Sequence, residues 1–133
     1  NGVRWVTVTI GDSNWTDISL APGWQQGGDG APNAQYRLVS MSGVPTLIFR
    51  GCATPAYPST WTQSYVTVTG TPLPVGFRPS SLRRPPAACS RVGTDRTTVR
   101  LDIRPDGEIR MYDVDAQHQP AWVSFDGISV AID

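Results

Sequence analysis

An all-β fold, an antiparallel β-sandwich or jelly roll, is what this sequence predicts, and three observations predict it. Thirteen glycines and twelve prolines among 133 residues disfavour long helices and suit short strands joined by many turns. No window carries apolar residues at i, i+3, i+4 and i+7, so no helix longer than a turn or two is expected. Instead, ten or so stretches rich in β-branched and aromatic residues are spaced by turn signals. A parallel sheet would need crossover helices that this pattern does not supply.

The first strand is expected over residues 3–10, where Val3, Trp5, Thr7 and Thr9 alternate with Arg4, Val6, Val8 and Ile10, an element packed on both sides. A weaker candidate covers 15–20. Strands over 35–41 and 46–52 are joined by Met41-Ser42-Gly43-Val44, which places Gly where a tight reversal needs it. Next come 64–69 and the weaker 73–77 and 86–92. A second hairpin joins 97–104 to 108–113 through Arg104-Pro105-Asp106-Gly107-Glu108. The last strand, 122–132, is interrupted at Asp126-Gly127. Three segments exceed hairpin turns: the Gly-rich 21–34, the Pro-bounded 53–63 and 114–121. Long loops on a stiff β scaffold are where recognition residues concentrate.

At 133 residues the chain has the size of one domain, able to enclose one core without metal or disulfide support. Eleven basic residues balance eleven acidic ones, so no global field draws nucleic acid or an anionic membrane, and neither partner is expected. No apolar stretch is long enough for a membrane span. Cys52 and Cys89 lack the spacing and His partner of a zinc site; two buried reduced thiols are preferred to a single bridge, and the redox compartment stays open. The chain starts at Asn1 without a Met or an apolar leader, which reads as a mature product or an excised terminal domain.

Reactive chemistry is poorly supplied. His118 is the only histidine, in Gln117-His118-Gln119-Pro120, with no nucleophile signature beside it, so a Ser-His-Asp triad is not expected. Asp113 and Asp115, two apart, would share one face of an extended segment and could form a glycosidase pair, although a solvated strand end is the preferred reading. Asp102, Asp106 and Glu108 resemble part of a calcium loop, but Pro105-Asp106-Gly107 is already explained as a turn. No metal or cofactor is expected.

Saccharide recognition needs flat apolar faces for sugar C–H groups beside planar polar side chains that take hydroxyls. Two loops offer both. Tyr57 and Trp61 share one with Thr60, Thr62 and Gln63, while Tyr112, Asp113, Asp115, Gln117 and His118 cluster within seven positions of the other. These seven aromatic and polar residues, Tyr57, Trp61, Tyr112, Asp113, Asp115, Gln117 and His118, are the candidate ligand contacts. Trp5, Trp24 and Trp122 are assigned to the core, and Arg83-Arg84 to a solvated loop.

A family resemblance rests on an ordered series: Trp24, Tyr36-Arg37, Phe49-Arg50-Gly51, Leu73-Pro74-Val75-Gly76-Phe77-Arg78-Pro79, Ile103-Arg104-Pro105-Asp106-Gly107 and Trp122-Val123-Ser124-Phe125-Asp126-Gly127-Ile128-Ser129. In order and spacing it resembles the C-terminal receptor-binding head of bacteriophage tail fibres and minor tail proteins, over residues 24–132. The resemblance implies a jelly-roll head of the tumour necrosis factor type, assembled as a homotrimer at a fibre tip on the virion tail. Such heads bind bacterial surface polysaccharide or wall polymer. The family's loops diverge, so no ligand position carries over. The function expected is therefore non-enzymatic host attachment. Its rivals are a polysaccharide depolymerase module, a structural trimerisation knob without receptor contact, and a carbohydrate-binding module of a secreted enzyme.

Overall fold

The computed structural model describes residues 13–94 and 96–133; the strand expected over 3–10, with Trp5, lies outside them. Among the described residues the chain forms β1 (Thr16–Asp17), β2 (Gln25–Gln26), β3 (Gln35–Met41), β4 (Val44–Arg50), β5 (Cys52–Thr54) and β6 (Tyr65–Thr67). After a 3-10 turn at Val75–Phe77 come β7 (Pro86–Ala88), β8 (Thr98–Ile103), β9 (Ile109–Tyr112), β10 (Val123–Ser124) and β11 (Ser129–Ala131). The strands make antiparallel sheets ordered β1-β3-β4-β11, β10-β5-β2 and β6-β9-β8-β7. The architecture is all-β and consistent with a β-sandwich. No helix among the described residues is long and apolar enough to cross a membrane.

Both legible hairpins form, and their turn residues explain them. Ser42 and Gly43 take φ of 53° and 82°, the double positive φ of the two-residue turn whose twist matches paired strands, so Met41 faces Val44 and Gln35 faces Arg50. Serine is a poor occupant of such a position and asparagine a good one. Ser42→Asn is therefore expected to stabilise the fold by about 0.5 kcal/mol, read as a higher midpoint in urea denaturation at unchanged slope. In the second hairpin Pro105 supplies the turn's fixed φ and Gly107 its left-handed exit at 88°. The Gly107 N–H donates to the Arg104 carbonyl at 2.9 Å, and the Asp106 carboxylate accepts the Glu108 N–H at 3.0 Å. That N–H, with Arg104 adding to it, holds the Asp106 carboxyl below the usual range.

Strand alternation then builds the core. Val99, Leu101 and Ile103 of β8, Ile109 and Met111 of β9, and Leu47 and Phe49 of β4 turn inward, and Phe125 is fully buried with its ring 6.1 Å from that of Phe49. Asp102 is the buried exception to this pattern. Its carboxylate takes the Arg100 Nε at 2.9 Å, with Arg84 at 3.7 Å, the compensation that a desolvated charge requires. Glu108 is likewise taken by Arg104 and Arg110, and Arg83 donates to the Ala131 carbonyl at 3.1 Å. These arginines and carboxylates are engaged with the protein itself.

The strand expected over 46–52 divides, because Gly51 at φ 86° turns the chain out of one sheet and into another. The segment 73–77 holds the 3-10 turn rather than a strand, and the turn sets Phe77 edge-on against Tyr36 at 5.4 Å. β2 was not anticipated within the Gly-rich 21–34. Cys52 and Cys89 are both free and buried, and burial pushes both thiols up. Trp24 is in the core as expected.

Candidate functional site

Where β9 ends, Asp113 adopts a left-handed backbone with φ 69°, a region that Asp tolerates better than most side chains. The chain leaves the strand line there, so Asp113 and Asp115 do not share the face of one extended segment, contrary to expectation. Asp115 to His118 closes a tight turn, each residue's N–H donating to the other's carbonyl at 3.2 Å. The Asp115 Oδ1 accepts the N–H of Gln117 at 2.8 Å and of His118 at 3.0 Å, with the His118 Nδ1 3.3 Å away. The Gln117 N–H above all, and then the His118 side chain and N–H, hold the Asp115 carboxyl below the ordinary carboxylate range. Asp115 is thus an anion at neutral pH.

The loop after β5 approaches this turn. Its Tyr57 and Trp61 rings pack at 6.2 Å, and the Tyr57 hydroxyl donates to the Pro120 carbonyl at 2.6 Å, tying one loop to the other. Burial, with Cys89 adding to it, pushes the Tyr57 hydroxyl up, so it stays protonated and able to donate. Tyr57→Phe is expected to cost about 1 kcal/mol by leaving the Pro120 carbonyl unpaired, measurable as a lower denaturation midpoint with the Trp61 environment altered in fluorescence.

Between the two loops lies a cleft of about 530 Å³. Trp61, Gln63 and Ser64 form one side, and Tyr112, Asp113, Asp115 and Gln117 the other. Arg96 and Arg100 also line it. The Arg100 guanidinium lies 4.2 Å from the centre of the Tyr112 ring while its Nε binds Asp102, so stacking and an ion pair fix its plane. Tyr112 in turn packs 5.3 Å from Tyr65, over which Arg110 lies at 4.2 Å.

Five of the seven candidate contacts, Trp61, Tyr112, Asp113, Asp115 and Gln117, therefore line one cleft. The other two do not. Tyr57 ties one loop to the other, and His118 closes the turn that carries Asp115 and Gln117. Ser64, Arg96 and Arg100 line the cleft but were not anticipated as contacts. Chemically, the described lining residues offer the Trp61 ring to C–H groups, amides that both donate and accept, two carboxylates and two guanidinium groups. The opposed charges balance, which suits a neutral polyhydroxylated ligand better than a polyanion. Among the described residues, no group of three or more His, Cys, Asp or Glu is placed to hold a metal ion.

Trp122, assigned to the core from sequence, is partly exposed and lines a second, smaller cleft. In comparisons with known proteins, the chain matches no family model and no curated protein.

Proposed function

We propose that this chain is a recognition domain that binds a bacterial surface saccharide in the cleft between Trp61 and Tyr112–Gln117. On this reading it is the receptor-binding head of a phage tail fibre, acting as a homotrimer with jelly-roll connectivity. The observation that carries the proposal is convergence: two loops distant in sequence, each with the composition that sugar binding requires, wall a single cleft. A sugar ring would lie against Trp61 while Gln63, Gln117 and the Asp113 and Asp115 carboxylates take its hydroxyls. Attachment needs no reactive group, and Asp115, held ionised, serves it as a hydrogen-bond acceptor for hydroxyls. Shallow sites suffice in a trimer, because later contacts become intramolecular and avidity rises without new contacts.

The test combines purified surface polysaccharides with the recombinant chain. Saturable binding that leaves polymer length unchanged, by a species with the mass of three 14.4 kDa chains, is the expected result. Release of new reducing ends would replace this reading with a depolymerase. A trimer that binds neither susceptible nor resistant cells would leave only a structural knob, and a monomer would remove the fibre-head assignment.

A further inference from the structure

The second cleft, of about 250 Å³, lies between the tip of the Gly-rich loop and the end of β10. It differs in kind from the first. Among the described residues that line it, the charged groups are Asp29 and Asp126, Trp122 is the aromatic one, and there is no arginine. Gly28, Ala31 and Ala88 keep the remaining surface small and apolar, and Ser124 adds one hydroxyl.

The site is built rather than incidental. The Gly27 N–H donates to the Cys52 carbonyl at 2.8 Å and the Cys52 N–H to the Pro32 carbonyl at 2.8 Å, strapping the loop to β5 on both sides of its tip. The Ala31 N–H closes the tip on the Gly28 carbonyl at 3.0 Å. Asp29 sits at this tip with φ 51°. A Cβ at Gly28 would stand 3.0 Å from the Trp122 Cβ and 3.2 Å from the Thr54 Oγ1, so the loop approaches the tryptophan as closely as a bare backbone allows. Across the cleft, the Asp126 Oδ1 accepts the Gly51 N–H at 2.8 Å, which fixes that carboxylate and leaves its second oxygen for a ligand. The thiol of Cys52, at the cleft's inner wall, is pushed up by burial first and then by both Asp126 and Asp29. Asp29 and Asp126 both line this one cleft.

A cleft lined by a tryptophan, two carboxylates and small apolar side chains is complementary to a cation with an apolar surround. An anion would meet like charge, and a neutral polyol would find acceptors with too few donors. We propose that the cleft formed by Trp122, Asp29 and Asp126 binds a small ammonium group, primary or quaternary, separately from the saccharide cleft at Trp61.

Titration of the full chain with choline and with glucosamine, followed by the Trp122 indole resonance, tests this against the neutral isosteres 3,3-dimethylbutanol and glucose. Saturable shifts are expected with an ammonium ligand and not with its neutral counterpart. Response to choline alone identifies a quaternary group, and response to glucosamine alone an amino sugar. Asp29→Asn and Asp126→Asn are each expected to weaken binding about tenfold, and added salt to weaken it further. Both variants should fold, since Asn tolerates the left-handed backbone at 29 and keeps an acceptor for the Gly51 N–H at 126. Equal binding of the neutral isosteres, full affinity in both variants, or no shift at tens of millimolar ligand would overturn the proposal.

Discussion

Trp61→Ala is expected to weaken saccharide binding by about 2 kcal/mol, a factor of ~30, because it removes the largest flat apolar surface of the cleft. Trp61→Phe keeps a flat face of smaller area and should fall between the variant and the parent. The same ring packs against Tyr57 and the core, so the alanine variant also loses stability. A control separates these effects. Gln63→Ala removes an exposed amide of the cleft, and should lower affinity with little effect on the unfolding midpoint. Binding to polysaccharide, measured for all three variants at a temperature where each remains folded, then reports the cleft rather than the fold. Unchanged affinity in Trp61→Ala would place the ligand elsewhere.

Gly51→Ala is expected to prevent folding. A Cβ at this position would stand 1.8 Å from the Asn33 carbonyl oxygen and 2.5 Å from its carbon, both backbone atoms that no rotamer change can move. The backbone there also has φ 86°, which L side chains rarely adopt. Moving either strand aside would break the 2.8 Å bond from the Gly51 N–H to Asp126 and the 2.7 Å bond from the Phe125 N–H to the Gly51 carbonyl. The loss should exceed about 4 kcal/mol, the range of diagnostic single substitutions. Gly43→Ala is the matched control. Its φ is 82° but its Cβ would meet nothing within 4 Å, so it should cost only the backbone strain, about 1 kcal/mol. Circular dichroism and urea denaturation of the pair distinguish close approach from φ alone.

The hairpins were legible because their turns are chemical statements about φ. The span of β3 was read to the residue, and β8 and β9 to within one residue at each end. Elements fixed by distant partners were not legible. β2 is the pair Gln25 and Gln26, neither a strand former, held there by pairing with Ala53 and Thr54 of β5. The division of 46–52 at Gly51 likewise depends on the close approach of Asn33, which no local pattern carries. For the cleft, composition located both loops, and their convergence waited on tertiary structure. One contact could have been found earlier. The turn at Pro105-Asp106-Gly107 sets Ile103 opposite Ile109, and stepping outward three residues on each strand puts Arg100 opposite Tyr112. Arg96 carries no comparable signal, since it lies beyond β8 in a loop whose path the strand register does not define. The misassignment of Asp113 and Asp115 to one face followed from extending the strand through a residue that takes φ 69° instead.

The most direct test of the cleft uses the tryptophan side chains as separate reporters within one sample. The indole N–H resonances of uniformly labelled protein are followed while a purified neutral surface oligosaccharide is added. The resonance of Trp61 should move with saturation, together with the side-chain amides of Gln63 and Gln117, while that of the buried Trp24 stays fixed. Saturable shifts confined to Trp15 or Trp122, with Trp61 unmoved, would contradict the assignment of saccharide recognition to this cleft.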